Sequence, residues 1–596
     1  MLDLQPSKPL RIAVLVKQIP KFEEMELGSD GRLIRDSVEL HMNDYCRRAV
    51  RAGCELARAS AGTCTAITLG PPEAESVLRE AILCGCEEGL HVCDPSFAGS
   101  DTLATARSLA SSLELHGPWD LVLCGRNSID SDTGQVPAQL AELLGFPLLA
   151  GVRELSIEGE TLRALLEHND ERVRTSVVLP AVLSCAERLC DPCKIKEPSA
   201  WATVAPGLLT RISASDLGSG PWGLAASPTR VGEVNVFDVD RSGRRFDTCD
   251  EATISRMVEL VRSRWANRED RPNDRDPVPE TGGKGPTVLV FTESDRQRTA
   301  AELVGAAARL AESVGGSVTV VCAPPVEPTT LGSQGADRIF ALDGDDEEAV
   351  VTTVDDVLGS DPPWGVLIPG TDWGRQVAGR LAARWDAGLT GDAVDLEVRD
   401  GRLIALKPAF GGRLVAEISC LSPTQMATVR PGVLQVSDPR ATGPIPVVEL
   451  PLGGGSGVQV EERWRDDDAD TLINAQVVIG VGRGVDPEDY PVIDGLADRI
   501  GAVTCATRKV TDEGWMPRAR QVGITGHTIA PHLYIAVGTS GKFNHMIGVR
   551  SAGTIVGINP DPKCELWDWC DVGVIAEWHD VLESLVERLS AIGVNA

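Results

Sequence analysis

Residues 521–562 read QVGITGHTIAPHLYIAVGTSGKFNHMIGVRSAGTIVGINPDP, and this stretch decides the fold of the C-terminal part of the chain. Hydroxyl-glycine pairs at 525–526 and 540–541 lie on either side of the apolar run 533–537, and a second apolar run ends in NPDP. Glycine lets the backbone approach a ligand closely, and N–H groups that follow a strand can hold phosphate. The stretch therefore predicts strands whose ends form a nucleotide-binding site.

Composition and charge indicate a large α/β protein and argue against two classes of partner. The 596 residues exceed the size of one hydrophobic core, so we expect several domains. The formal net charge is -30, from 87 acidic and 57 basic residues, which argues against nucleic acid and anionic membrane as partners. No uninterrupted apolar segment is long enough to span a bilayer, and the N-terminus lacks a signal-like cleavage region. We therefore expect no membrane insertion and a cytoplasmic location.

Two composition breaks divide the chain into three parts, and each part opens with an apolar run typical of a strand. The segment 266–286 is charged and rich in proline and glycine, and the segment 453–470 is rich in glycine and then acidic. RIAVLV at 11–16 and TVLVFT at 287–292 open the first two parts, and AQVVIGVGRGV opens the third. Strand and helix patterns alternate, which predicts an α/β fold of three doubly wound parallel-sheet domains. The predicted domains are two nucleotide-binding-like base domains at 1–265 and 287–452, a linker at 266–286, and a C-terminal cofactor-binding domain at 472–596.

Most of the 16 cysteines are expected to be small buried side chains, since they are scattered through apolar elements. One group, Cys185, Cys190 and Cys193, has the spacing C-x4-C-x2-C. Plant-type ferredoxins use that spacing, but they need a fourth thiolate, and none is obvious nearby. We therefore predict no metal site and interpret the spacing as coincidence.

Three separated motifs of residues 521–562 recur in one family. They resemble the FAD-binding domain of the electron transfer flavoprotein α-subunit, whose pattern runs close to QVGQTG, P-LYIA-GISGAIQH and AIN-DP. The first half of the chain resembles the β-subunit, through FAGSDTLATA at 97–106 and GRNSIDSDTGQVPAQLAELLG at 125–145. The middle part resembles the first domain of the α-subunit, through MATVRPGV at 426–433. The resemblance implies two normally separate subunits fused into one chain, β first and α second, so that a linked pair replaces a concentration-dependent dimer.

The resemblance implies an FAD in the C-terminal domain and assigns residues to it. Reduction of a flavin places negative charge near N1 and O2, so cations or donors there raise its potential. Arg508 and His545 are expected to lie against the isoalloxazine in this catalytic role, and Thr525 is expected to donate toward the N5 side. The other predicted FAD-binding residues are Arg483 and Thr507 for the ribityl or diphosphate portion, Gly523, Gly526, Ser540 and Gly541 in the approaching loops, and Asn559 and Glu577 at the adenosine end.

A second nucleotide is expected in the N-terminal domain, at a loop whose glycines suit a turn into a helix. Backbone N–H groups at such a helix start can hold phosphate. In the family this site takes either AMP or a second FAD. The stretch IDSDTGQV looks more like the version with a second FAD, which we place ahead of AMP. The predicted site residues are Asn43, Thr68, Gly125, Asp130, Asp132, Thr133, Gly134, Gln135 and Val136.

Three functions follow from the resemblance. The first is an electron carrier, rather than a metabolic enzyme, between a flavin dehydrogenase and a quinone reductase or ferredoxin. A dehydrogenase of the acyl-CoA type would link it to fatty acid β-oxidation, although the altered docking segment at 187–200 puts that partner in doubt. The second is an electron-bifurcating, NADH-oxidising flavoprotein with two FADs. The third is a non-redox nucleotide-binding regulator on the same fold.

Overall fold

Three large sheets organise the molecule, and we call the regions around them the first, second and third domains. The computed structural model describes residues 3–20, 26–27, 33–34, 39–128, 130–168, 171–195, 197–236, 241, 243–266, 277–409, 414–455, 457–465, 469–523, 526–550 and 552–594. Within these ranges, no helix combines the length and the apolar character that crossing a membrane would need.

Residues 3–266 alternate between strands and helices, as the apolar runs predicted. The strands are β1 (Asp3–Pro6), β2 (Arg11–Leu15), β3 (Gln18–Pro20), β4 (Glu26–Leu27), β5 (Leu33–Ile34), β6 (Leu40–Met42), β7 (Thr63–Leu69), β8 (Glu88–Val92), β9 (Leu121–Gly125), β10 (Leu148–Gly159), β11 (Thr161–Glu167), β12 (Glu171–Val178), β13 (Ala181–Cys185), β14 (Leu209–Ile212), β15 (Thr229–Val236) and β16 (Arg244–Phe246). The helices are α1 (Asp44–Ser60), α2 (Glu75–Leu83), α3 (Thr102–His116), α4 (Val136–Leu144), α5 (Gly223–Ala226) and α6 (Glu251–Ala266).

The rest of the chain continues this alternation. The strands are β17 (Thr287–Thr292), β18 (Ser317–Cys322), β19 (Arg338–Leu342), β20 (Gly365–Pro369), β21 (Gly388–Ala393), β22 (Asp395–Arg399), β23 (Arg402–Ala409), β24 (Leu414–Cys420), β25 (Gln425–Val429), β26 (Val447–Leu450), β27 (Gln459–Arg465), β28 (Val477–Val481), β29 (Val503–Ala506), β30 (Leu533–Val537), β31 (Thr554–Ile558) and β32 (Val572–Val574). The helices are α7 (Gln297–Val314), α8 (Pro328–Ser333), α9 (Glu347–Leu358), α10 (Asp372–Arg384), α11 (Ala469–Asn474), α12 (Tyr490–Asp498), α13 (Arg508–Asp512), α14 (Phe543–Met546) and α15 (Leu582–Ala591).

Each domain is built on parallel strands in the orders β14-β8-β7-β2-β9-β13-β10, β21-β25-β20-β17-β18-β19-β26 and β16-β32-β31-β30-β28-β29. Strand β2 shows how both faces are covered, because Ile12 and Val14 join one apolar cluster and Ala13 and Leu15 join another. A sheet buried on both faces requires helices on both sides. The α/β prediction of doubly wound parallel sheets is therefore confirmed.

Two antiparallel additions were not predicted. The first sheet continues through β11, β12 and β27, and β15, β24, β23 and β22 form a separate four-stranded sheet. Strand β24 alternates buried and half-buried positions, which is typical of an antiparallel sheet with one solvated face.

The sheets exchange strands across the boundaries expected from sequence. Strand β16 lies beside β32 in the third sheet, and Met257 and Val261 of α6 belong to the third domain's core. Strand β27 pairs with β12 of the first sheet. Residues 244–266 and 459–465 thus connect the domains, although the sequence prediction assigned the former to the first domain and the latter to a break.

Part of the predicted linker 266–286 is packed. The side chain of Val278 is buried, and its N–H donates to the carbonyl of Asp438 at 3.0 Å. The N–H groups of Gly283 and Gly285 donate to carbonyls of the turn that follows α7. Most of residues 277–286 are exposed, as expected of a linker, but Val278 and the two glycine N–H groups anchor them to the second domain, and residues 267–276 lie outside the described ranges.

The first and second domains meet through equivalent helices, α4 and α10. A Cβ added to Gly379 would lie 2.7 Å from the Cβ of Ala138, so the two helices approach closely. Arg380 pairs with Glu142 across this contact at 3.2 Å. The two domains therefore form a base against which the third domain lies.

Candidate functional site

The third sheet creates a crevice between the carboxyl ends of β28 and β30. Strands that follow each other along the chain lie on opposite sides of this point, since β29 is beside β28 while β31 and β32 continue beyond β30. Doubly wound sheets bind ligands at such a switch point. The strand ends meet tightly here, because the N–H of Gly482 donates to the carbonyl of Val537 at 2.9 Å and that of Gly484 to Gly538 at 3.1 Å.

The residues predicted after β28 and β29 lie along one side of this crevice. Arg483 is exposed just beyond β28. Thr507 precedes α13, and its N–H donates to the carbonyl of Val481 at 3.1 Å. Arg508 is the first residue of α13 and pairs with Asp512 at 3.2 Å. Its guanidinium carbon lies 5.9 Å from the centre of the Tyr45 ring, which belongs to the first domain.

The loop after β30 forms the other side. Thr539 is buried, and its Oγ1 has no hydrogen-bond partner in the described part of the protein. Ser540 is exposed, and Gly541 is buried with φ of 69°. Asn559 follows β31 and donates from Nδ2 to the Thr539 carbonyl at 2.7 Å, so it holds this loop in place. Glu577 is exposed beyond β32.

A second turn, between β29 and β30, approaches the same region. Thr525 lies outside the described residues, but the glycines on both sides of it are placed. The N–H of Gly523 donates to the carbonyl of His527 at 3.0 Å, and the N–H of Gly526 donates to the carbonyl of Gly523 at 3.1 Å. These bonds close a tight turn, and Gly526 lines a cavity toward the base.

His545 is buried in α14 as a neutral ring. Its Nδ1 lies 2.9 Å from the carbonyl of Val522, which can only accept, so Nδ1 carries the proton. Its Nε2 therefore accepts from the hydroxyl of Tyr534 at 2.6 Å. Burial lowers the pKa of His545 to about 4. Of the two residues assigned a catalytic role, only Arg508 can supply a positive charge at neutral pH, because both ring nitrogens of the neutral His545 are bonded to Val522 and to Tyr534 of β30.

A cavity joins the third domain to the base, and sequence reasoning did not predict several of its residues. Tyr45, Glu187, Arg518 and Thr528 line it, and the buried Oγ1 of Thr528 has no partner among the described residues. Tyr45 stands two residues after the predicted Asn43, but nothing in that local pattern indicates contact with a distant domain.

Glu187 is the charged contact between the base and the third domain. Burial alone would raise its pKa, but Arg518 at 3.2 Å, Arg126 at 3.9 Å and the nearby Arg508 hold the pKa of Glu187 at about 2. The neighbouring Arg188 donates to the carbonyl of Thr511 in α13. A fully ionised carboxylate therefore lies between cations of both bodies.

The predicted second site also occupies a switch point, between β2 and β9. Lys17 follows β2, and its Nζ lies 2.9 Å from Oγ of Ser128 and 2.8 Å from the carboxylate of Asp130 beyond β9. Burial would raise the pKa of Asp130, but Lys17 holds it below the ordinary value. Asn43 and Thr68 are buried beside this crevice, where Asn43 donates to the Asn127 carbonyl and Thr68 to the Val16 carbonyl, each at 2.8 Å.

The remaining predicted residues of the second site form the turn from Gly125 to the start of α4. Asp132 and Gly134 adopt positive φ, and the turn continues through Thr133 and Gln135 to Val136. Whereas Asp130 pairs with Lys17, Asp132 lies near Arg375 and Lys407 of the second domain. Burial raises the pKa of Asp132.

The side chain of Gln135, whose backbone N–H was predicted to face phosphate, makes other contacts. Gln135 accepts from Thr102 at 2.5 Å and donates to the carbonyl of Leu389 at 3.2 Å. Its side chain therefore links α4 to the second domain and is not available to a nucleotide.

The spacing of Cys185, Cys190 and Cys193 does not gather the three sulfurs. Cys185 is buried in β13, while the thiols of Cys190 and Cys193 donate to the carbonyls of Arg48 and Arg47 at 3.5 and 3.1 Å. Among the described residues, the only group with metal-ligand geometry consists of other cysteines.

These observations define an α/β protein of three nucleotide-binding-type domains, in which the third domain, with its switch-point crevice, lies against a base made of the first two. Residues 30–220 and 288–452 match the family model of the electron transfer flavoprotein domain. Residues 471–550 match the model of the electron transfer flavoprotein FAD-binding domain. The chain belongs to the electron transfer flavoprotein family. Two copies of the first domain type precede the FAD-binding domain, which confirms the predicted fusion.

Similar proteins include subunits of this family that are about half as long. The electron transfer flavoprotein subunit alpha of Mycobacterium leprae is 34% identical over 315 residues, which cover 51% of this chain and 98% of that protein. Protein FixB of Clostridium saccharobutylicum is 32% identical over 323 residues, with coverage of 51% and 96%. The subunit alpha of Mycobacterium tuberculosis is 35% identical over 317 residues, with coverage of 51% and 98%.

The third-domain crevice fits a flavin dinucleotide. Two buried threonine hydroxyls, at Thr539 and Thr528, offer hydrogen bonds that no described protein group uses. Buried polar groups require partners, so these hydroxyls indicate a ligand with polar edges. Thr528 and Tyr45 line the cavity toward the base, and the Arg508 guanidinium carbon lies 5.9 Å from the centre of the Tyr45 ring.

Proposed function

We propose that this chain binds one FAD in the crevice between β28 and β30 and carries electrons from a flavin dehydrogenase to an acceptor such as a quinone reductase or ferredoxin. When bound, FAD supplies the capacity to take up and release one or two electrons. The observation that carries the proposal is the position of Arg508, which lies at this crevice and faces Tyr45 of the base. The cofactor would thus lie where two bodies of the protein meet.

The residues would divide the work as follows. The loop of Thr539 and Gly541, held by Asn559, would support the diphosphate and adenosine portions. Arg508 would place a positive charge beside the ring edge where reduction creates negative charge. His545, neutral and bonded to Tyr534 and Val522, would keep the loop after β30 and the turn before it in register.

We infer a second nucleotide, AMP or FAD, at the switch point of the first sheet. Lys17 and the amino end of α4 would bind its phosphates, because a cation and a helix start both favour negative charge. A second FAD would support the electron-bifurcating alternative, in which NADH is the electron donor, and AMP would support the simple carrier.

The flavin content of the intact chain tests this proposal. We expect the purified protein to release one FAD per chain together with AMP, or two FAD per chain, on denaturation, with the nucleotides identified by mass spectrometry. The intact chain is required, because a truncation before residue 470 would remove the partners of β16 and α6. A colourless protein that cannot be reconstituted with FAD would contradict the carrier function and favour the non-redox alternative.

Replacing Arg508 by alanine should lower the potential of the bound flavin. Loss of one cation beside a developing negative charge in a partly buried site costs about 1 to 3 kcal/mol. For a two-electron couple this corresponds to about 20 to 60 mV. Spectroelectrochemical titration measures the change, and Lys509→Ala is the matched control, because Lys509 carries the same charge one residue further on and is exposed. Equal potentials in the Arg508→Ala variant and the wild type would show that Arg508 has no such role.

A further inference from the structure

Three buried cysteines lie close together in the first domain, at the amino ends of strands β7 and β8, whereas the nucleotide crevice is at the carboxyl ends of the strands. Cys54 lies in α1, Cys64 near the amino end of β7, and Cys86 just before β8. The Sγ atoms of Cys54 and Cys64 lie 3.7 and 3.6 Å from the Sγ of Cys86, and all three lie within 4.8 Å of one another. The exposed fractions of these residues are 4%, 0% and 4%.

The distances suit one metal ion bound by three sulfurs. Metal–sulfur bonds of about 2.3 Å place ligand sulfurs about 3.8 Å apart in a tetrahedral site and about 4.0 Å apart in a planar three-coordinate site. The observed separations lie around these values. Three different elements bring the thiols together, so the arrangement needs the folded domain.

The ligand set selects the kind of ion. Within the described residues, the group contains only these three thiols, without a fourth cysteine, histidine or carboxylate. Structural zinc sites use four ligands, and a zinc ion that completes its shell with water needs solvent access, which this buried cluster lacks. Thiolates favour soft ions, of which Cu(I) is one.

We propose that Cys54, Cys64 and Cys86 form a three-thiolate site for Cu(I). On binding, three S–H protons pass to solvent and three sulfur–metal bonds form, without change in the oxidation state of the ion. The guanidinium of Arg58 lies near the cluster. A Cβ placed on Gly85 would be 3.4 Å from Sγ of Cys54 and 3.8 Å from Nη2 of Arg58, so both atoms lie on the same side of Gly85. The charge of Arg58 would partly offset the negative charge of the loaded site. The site is independent of the flavin.

Cu(I) titration of the intact, reduced chain tests this proposal. Under anaerobic conditions and against the chelator bicinchoninate, we expect a single equivalent of Cu(I) to be retained. Cys54→Ser, Cys64→Ser and Cys86→Ser should each lose it. Cys124→Ser and Cys322→Ser remove equally buried thiols outside the cluster and should retain it.

A measurement on the wild-type protein guards against variants that fail to fold. Bound Cu(I) should protect these three cysteines from alkylation in peptide mapping, and X-ray absorption should show sulfur-only coordination by three atoms. Absence of stoichiometric uptake, or protection of other cysteines instead, would overturn the proposal. So would displacement of Cu(I) by equimolar Zn(II), or a disulfide from Cys86 to Cys54 or Cys64 in protein isolated without reductant.

Discussion

Replacing Gly541 by alanine is expected to yield a protein that is purified without its flavin. The residue has φ of 69°, and an added Cβ would overlap the backbone nitrogen of Leu566. The left-handed conformation costs a non-glycine residue about 1 to 2 kcal/mol, and forced overpacking adds about 1 to 3 kcal/mol. The loop after β30 must move to relieve this overlap, which displaces Thr539 from the crevice. Flavin content per chain, measured by absorbance after denaturation, gives the result.

The matched control is Gly514→Ala in the same domain. Gly514 also has positive φ, 76°, but a Cβ added there would meet no atom within 4 Å. This variant should lose about 1 kcal/mol of stability and keep its flavin. Full flavin content in the Gly541→Ala variant would mean that the loop after β30 does not support the cofactor.

The strands of the parallel sheets were the most predictable part of the fold. RIAVLV, TVLVFT and VVIGV are short apolar runs bounded by polar or glycine residues, and they become β2, β17 and β28. Burial on both faces can be predicted from such runs, because every side chain of a strand that is covered on both sides packs in a hydrophobic core. The position of β16 could not be read in this way. Its partner β32 lies more than 300 residues further along the chain, and no local pattern of 244–246 specifies which sheet edge it joins.

In the candidate site, too, residues placed by the strand order were predictable from the sequence, and residues placed by contacts between domains were not. Gly541 and Asn559 come together because they follow neighbouring strands, β30 and β31, and a strand order of this type puts their carboxyl ends at one edge. Tyr45 and Glu187 reach the cavity from another domain, and that contact depends on docking. Gln135 shows the converse, because its side chain bonds to Leu389, which is 254 residues away. The roles of all the predicted site residues toward FAD stay predictions.

His545 is expected to make the third domain sensitive to acid. The pKa of an unperturbed histidine is about 6.5, and burial lowers that of His545 to about 4 in the folded protein. Below pH 6.5 the unfolded chain binds a proton that the folded domain does not bind, so the free energy of unfolding decreases as the pH is lowered. This contribution is intact above pH 6.5 and decreases until about pH 4, by about 3 kcal/mol in total.

The measurement is urea-dependent hydrogen exchange of peptides from β28 and β30 between pH 4.5 and 7.5, corrected for intrinsic exchange rates. In His545→Gln, this part of the pH dependence should disappear, because an amide does not titrate and its oxygen can still accept from the Tyr534 hydroxyl. His579→Gln is the control, since the His579 side chain is 59% exposed. It should keep the wild-type dependence, because this side chain lies at the surface and the His545 ring is unchanged in that variant. If His545→Gln and the wild type lose stability in parallel on acidification, the buried neutral ring is not the cause, and ion pairs such as that of Glu187 with Arg518 must carry the effect.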